Sequence, residues 1–184
     1  MTVYSVESLA TLAGGKLQPK RNHINRFLTE HDDWRCEPIS AENIDECRTM
    51  CEEWYAEHAE MGVDLSHFAG ERFAISFAFD NYDAIGFEGL ALRADGHIIA
   101  FTMGTFFSAD TYDVNFEKAF SSIQGAYALI NREFSRHIHE THPDVRFLNR
   151  EDDMGLPGLR KAKLSYQPAV ILEKYTAVLA EDTL

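Results

Sequence analysis

The sequence is poor in the features that mark easily recognised classes of protein. Its 184 residues hold three cysteines, Cys36, Cys47 and Cys51. They form no C-x-x-C pair and leave one over in any disulfide scheme, so a disulfide framework is not expected. Cys47 and Cys51 share a predicted helix face with Ile44 and Trp54, the setting of small apolar core residues rather than of a catalytic thiol. Long apolar runs are missing. Ile98–Phe101, one of the longest, falls far below the ~20 residues that cross a bilayer, and the N-terminal MTVYSVESLATLAGG has an acidic residue where a signal peptide needs basic ones. The expected location is cytoplasmic. Bases are scarce, 17 Lys and Arg against 30 Asp and Glu, for a formal charge of −13. A surface that grips nucleic acid or anionic lipid over its whole extent is thereby excluded, because phosphate contact needs clustered cations. No G-x-S-x-G, Walker A or Rossmann fingerprint occurs, which leaves serine hydrolase, P-loop and dinucleotide readings without a motif. In RHIHETH, His137, His139 and His142 lack the i, i+4 spacing of a helical zinc site, and no metal is expected.

What is present suits one domain of ordinary size. Apolar residues make up 45% and charged residues 26%, close to the soluble globular average. The charge is uneven, with eleven acids in 27–60 against Arg35 and Arg48. Two basic islands interrupt it, Lys16, Lys20, Arg21 and Arg26 in 16–26, and Arg160, Lys161 and Lys163 in 156–168. Either could meet an anionic ligand or be a solvated helix face.

Local signals predict the elements. Ser5 suits an N-cap for a short helix ended by Gly14-Gly15, and Pro19 the first turn of a second helix that frays near Glu30. Trp34–Ile39 reads as a first strand that Pro38, which cannot donate to a ladder, places at an edge or ends. Ser40 is an N-cap candidate for a helix in which Ile44, Cys47, Cys51, Trp54 and His58 step by three and four. A helix over 66–82 carries enough large apolar groups to be sandwiched. Two runs joined by Asp95-Gly96 predict a tight hairpin, and 110–117 a third strand. Ser121 or Ser122 then caps a helix over 122–142, and strands VRFLN and AVILEKY follow. This order predicts an α/β fold with a mixed sheet, in which the strand ending at Asn149 runs parallel to the one ending near Glu117.

Two stretches could carry chemistry. The first, FLNREDDMGLPGLRKAKLSYQP, packs a strand end, the charged cluster Asn149, Arg150, Glu151, Asp152 and Asp153, a Gly-Pro-Gly turn, a basic helix and Tyr166 into 22 residues. It reads as a functional site or as a salt-bridged surface turn, and the site reading expects Arg160 in a buried ion pair with one of those carboxylates. The second, EKAFSSIQGAY, runs from a strand into a helix start with Gly125, where free N–H groups and the helix dipole suit a pyrophosphate. A glycine there can equally serve packing.

Three pieces, GGKLQPKRNHINRF, NFEKAFSSIQGAYALINREF and FLNREDDMGLPGLRKAKLSYQPAVILEKY, resemble in content and order the family named for the C-terminal domain of phosphatidylglycerol lysyltransferase, which includes bacterial proteins of unassigned function. The resemblance implies a GNAT-type acyltransferase fold, a mixed, mostly antiparallel sheet flanked by helices and usually present twice in tandem. It divides this chain into a helical linker, 1–33, and a single second repeat, 34–184. It further implies a transferase that moves an acyl or aminoacyl group from acyl-CoA or aminoacyl-tRNA to an amine or hydroxyl of a small molecule or lipid headgroup. Glu117 or Glu151 would be the base and Tyr166 the acid. Gln124, Gly125, Ala126 and Tyr127, with Arg160 and Lys163, would hold donor phosphate, and Asn149, Arg150 and Asp153 the acceptor. The usual Q/R-x-x-G-x-G/A loop is degenerate here, with Gln124-Gly125-Ala126 out of register. Transfer RNA would meet the basic islands, and a second copy or a companion first repeat would complete the cleft. The alternative is a non-catalytic ligand-binding or interaction module that keeps the fold.

Overall fold

A computed structural model describes residues 1–175 and 177, the side chain of His67 excepted. Strand β1 (Thr2–Ser5) leads into α1 (Val6–Thr11), where the Ser5 hydroxyl accepts from the Ser8 N–H as the expected cap. The helix stops at Leu12, itself left-handed at φ +50°, before the glycines are reached. Helix α2 (Gln18–Glu30) has Pro19 in its first turn, and β2 (Arg35–Pro38) follows. Helix α3 (Ile44–Glu60) begins later than a Ser40 cap would place it, because Asn43 Oδ1 accepts from the Ser40 N–H at 2.9 Å and closes 40–43 into a turn. The helix expected over 66–82 is divided between a 3-10 turn at Leu65–Phe68, α4 (Ala69–Asp80) and α5 (Tyr82–Ile85). It is not sandwiched: Ile75, Ala78 and Phe79 are buried while Phe73 and Phe77 face solvent.

Asp95 and Gly96, at φ +51° and +80°, make the hairpin between β3 (Glu88–Ala94) and β4 (His97–Phe106), as a two-residue turn with both φ positive requires. Then come β5 (Thr111–Ala119), α6 (Ala126–Thr141), β6 (Phe147–Asn149), α7 (Pro157–Leu164) and the two-residue β7 (Val170–Ile171). The segment 176–184, TAVLAEDTL, whose shortness and acidity predict no closing hairpin, lies outside the described residues apart from Ala177.

Among the described residues seven strands form one sheet in the order β2-β3-β4-β5-β6-β1-β7. Of its pairs there, only β5 and β6 are parallel, so the sheet is mixed and mostly antiparallel, as expected. Segment 1–33 does more than link: β1 lies between β6 and β7, and Leu9, Leu12, Ile24 and Phe27 are core residues. TVYS, absent from the strands predicted above, forms one in keeping with its β-branched and aromatic residues. Helices α1, α2 and α6 cover one face of the sheet, and α3 and α4 pack their own core on the other.

A bulge decides which residues face α6. Met103 pairs with Phe116 and Thr105 with Asp113, so β5 has one residue more than β4 between those pairs. The strands crowd there because Gly104 has no side chain: a Cβ on it would lie 2.0 Å from the Asp113 carbonyl oxygen. An extra residue shifts the two-residue alternation by one. Tyr112 and Val114 face α6, and past the bulge Glu117 and Ala119 do so, while Phe116 and Lys118 turn toward α3.

Candidate functional site

Strands β5 and β6 run together only where Thr111–Asp113 meets Phe147–Asn149. Past that point β5 continues to Ala119, whereas the chain after β6 turns off at Arg150, and the opening between them is filled by polar side chains. Arg150 Nη2 donates to Glu117 Oε1 at 2.7 Å, with the two side chains 13% and 10% exposed. Asn131, from α6, donates to Glu117 Oε2 at 3.2 Å. The Arg150 guanidinium lies 4.9 Å from the Tyr166 ring centre and 5.7 Å from that of Tyr4. Lys20, from α2, lies 4.0 Å from the Tyr166 ring. Lys163, in the last turn of α7, donates to the carbonyls of Arg150 and Asp152, and the Tyr4 hydroxyl donates to the Lys163 carbonyl at 2.9 Å.

Arg150 therefore pairs with the Glu117 carboxylate largely out of water, and two further cations border the cluster, Lys163 at the backbone carbonyls and Lys20 at the Tyr166 ring. Burial lowers the pKa of Lys163 to about 8, and the charge of Arg150 adds to the effect; Lys20 is lowered by the same two causes. Burial opposes the charge on Arg150, yet Glu117, Tyr166 and Tyr4 together hold its pKa above the ordinary value. The Tyr166 phenol is pushed up to about 12 by burial, so it carries its proton at neutral pH. A carboxylate that can take a proton, a phenol that can give one and a guanidinium that can steady negative charge thus occupy one buried cluster.

Of the residues singled out in the sequence, Glu117, Arg150, Lys163 and Tyr166 come together here with Lys20 beside them, and the other candidate site residues do not. Asn149 faces the opposite side of the sheet, where its Nδ2 donates to Asp113 Oδ1 at 2.9 Å. Glu151, at φ +58°, is on that side too and lies 3.5 Å from Lys174. Burial, reinforced by Glu151, raises Asp113 to about 7. The buried ion pair expected of Arg160 is overturned: its side chain is 63% exposed and bonds to Asp153 at 2.6 Å. Helix α7 buries only Lys163, in its last turn, which leaves Arg160 at the rim. Lys163 binds backbone carbonyls, where phosphate had been expected.

The expected start of α6 is also corrected. Helix α6 is capped by Gly125 at φ +95°, not by Ser121 or Ser122, and α2 lies against this start. A Cβ on Gly125 would come within 2.4 Å of the His23 carbonyl oxygen. Gln124 faces His23 at 3.2 Å, Ala126 is fully buried, and the Tyr127 hydroxyl accepts from Trp54 Nε1 at 3.2 Å. In the basic island of α2, Arg21 bonds to the carbonyls of Leu12 and Gly14 and so ties α1 to α2. His137 and His142 both face Glu88. Concavities of about 410 Å³ between α3 and α4 and about 190 Å³ beside β1, β6 and β7 do not include Glu117.

Tyr4, Thr102 and Asn131 were not anticipated. Asn131 could have been flagged as a polar residue beside Ile130 in the apolar stripe of α6, and it is 2% exposed. Thr102 stands inside the apolar run AFTM and pairs with Glu117 across the β4–β5 ladder.

The model of the family described as phosphatidylglycerol lysyltransferase, C-terminal, matches residues 1–178. The chain belongs to this family. It resembles a conserved protein of unknown function from Bacteroides thetaiotaomicron, 43% identical with a TM-score of 0.85, over 92% of this chain and 56% of that one. An uncharacterized protein of Mycoplasmoides gallisepticum is 24% identical over 174 residues, 94% of this chain and 54% of its own. The C-terminal domain of a candidate lysylphosphatidylglycerol synthetase from Agrobacterium fabrum is 16% identical with a TM-score of 0.61, over 91% of this chain and 55% of that one, and supports the GNAT-like fold alone. The chain spans just over half the length of each relative. Among the described residues no helix is long and apolar enough to cross a membrane.

Proposed function

We propose that the chain is an aminoacyltransferase domain whose chemistry is centred on the Arg150–Glu117 pair. The observation that carries this reading is the buried cluster where β5 and β6 part, in which Glu117 of β5 meets Arg150 and Tyr166 from the two ends of one stretch later in the chain. In this reading Glu117 removes a proton from the acceptor hydroxyl or amine, Arg150 steadies the charge that develops on the carbonyl oxygen, and Tyr166 protonates the departing oxygen. Aminoacyl-tRNA is favoured over acyl-CoA as donor, because α2 packs on the helix start where a pantetheine pyrophosphate would sit. A small molecule or a lipid headgroup is the acceptor. The same cover supports the second reading, a binding module without chemistry, since neither concavity reaches Glu117.

The test is transfer of a labelled aminoacyl group from aminoacyl-tRNA to lipid vesicles or to soluble amines. Wild-type protein should transfer, and Glu117→Gln, which keeps the shape and a hydrogen bond to Arg150, should lower the rate by ~10²–10⁴-fold. Binding of the donor without transfer under any acceptor would favour the module.

A further inference from the structure

Three buried side-chain atoms gathered around Glu117 have no hydrogen-bond partner among the described residues: Asn131 Oδ1, Thr102 Oγ1 and Arg150 Nη1. Asn131 and Arg150 are the two donors that already hold the Glu117 carboxylate. Thr102, fully buried, stands opposite Glu117 in the β4–β5 ladder, and directly opposed side chains lie on the same face with Cβ atoms ~4.5–5.5 Å apart. The chemistry of the set is mixed. Asn131 Oδ1 only accepts, Arg150 Nη1 only donates, and the threonine hydroxyl does either. A small group with both O–H hydrogens and lone pairs matches it. An ammonium does not, because Lys20, Arg150 and Lys163 already outnumber the carboxylate. Buried polar atoms at two to four such positions are the usual partners of an ordered water.

We infer that this cluster positions a water molecule as a nucleophile, and that the protein hydrolyses aminoacyl esters when no other acceptor is bound. The inference rests on the transferase reading of the same site. The water would donate one hydrogen to Asn131 Oδ1 and the other to Glu117. As its oxygen bonds to the ester carbonyl carbon, Glu117 takes the proton, and the resulting oxyanion accepts from Arg150 Nη1. Collapse breaks the bond between that carbon and the alcohol oxygen, and Tyr166 supplies the proton that the oxygen requires. The products are the free amino acid and the alcohol, and Glu117 returns its proton to the phenolate directly or through solvent. Ester and water are the sole reactants. An acceptor hydroxyl that enters in place of the water gives transfer from the same arrangement.

The experiment follows release of labelled amino acid from aminoacyl-tRNA by the full chain with no acceptor added, against the spontaneous rate. Release should exceed the spontaneous rate at least tenfold. The excess should fall by ~10²–10⁴-fold in Glu117→Gln and also in the near-isosteric Thr102→Val, with melting curves confirming that both variants fold. In H₂¹⁸O the enzymatic product should carry one labelled oxygen in its carboxylate. Wild-type release no faster than the spontaneous rate would overturn the inference, as would excess release that survives Glu117→Gln. Transfer to an added acceptor without excess release sinks hydrolysis and leaves the transferase reading standing, whereas release without transfer does the reverse.

Discussion

Asp113 couples the sheet to pH. Its carboxyl is raised to about 7 by burial first and by Glu151 second, with Asn149 opposing the shift and Lys174 opposing it more weakly. Between its unfolded value and about 7 the folded protein holds a proton that the unfolded chain has released. Stability from this carboxyl is therefore present at acid pH and is lost as pH rises through 7, at up to ~1.4 kcal/mol per unit. Asp113→Asn should lose that dependence, and melting at pH 5 and pH 8 tests it: the variant gains on the wild type at the higher pH, and equal slopes would refute the assignment. The two arginines ten positions apart make a sharper contrast. Arg150→Met leaves Glu117 buried without its cation and should cost ~3–5 kcal/mol, while Arg160→Met, at the solvent-exposed rim, should melt almost as the wild type does. Both stand in one charged stretch, and no pattern in that stretch says which of them turns inward. That depends on where the sheet ends, a fact set by β1 and β5 far away in the chain. The thiols were legible: Cys36 and Cys47 are pushed to about 12 and Cys51 to about 11 by burial, which is core chemistry and not catalysis.

Among the elements, those with a strong local period were readable and those set by packing were not. Helix α6 announces itself through Tyr127, Ile130, Phe134 and Ile138, and the β3–β4 hairpin through Asp95-Gly96. The start of α6 misled, because a serine pair is a good generic cap and nothing local reveals that α2 will lie across Gly125. Gly125→Ala is the test at this scale. A left-handed alanine costs ~1–3 kcal/mol, and its methyl group would also meet the His23 carbonyl. The expected outcome is a lower melting temperature with α2 displaced, seen as faster amide exchange in 18–30. Unchanged exchange there would show that Gly125 does not seat α2. The bulge in β5 left no mark in DTYDVNFEKA, since a single extra residue looks like imperfect alternation. It follows instead from a tertiary contact, the approach of the Asp113 carbonyl to Gly104.

For the molecule as a whole, a charge of −13 means that most of the surface repels any polyanion. On the aminoacyl-tRNA reading, Lys20 with the exposed Arg160 and Lys161 of α7 supplies at most three phosphate contacts, so log K for single-stranded acceptor ends should fall with log salt at a slope near −2. Lys20→Glu should abolish most of the affinity; Arg21 is unsuited to the same test because it ties α1 to α2. A slope much steeper than three cations allow would place nucleic acid elsewhere on the surface. The bulge carries one more consequence, of parity. A sheet counts in twos, and one extra residue in β5 decides whether odd or even positions beyond it look toward α6. With Asn115 kept and the alternation unbroken through it, Glu117 would face Trp54 and Lys118 would come round to Arg150. The site would then gather four cations and no carboxylate, so one irregular step in a ladder sets the sign of its chemistry while every charged residue of the chain keeps its place in the sequence.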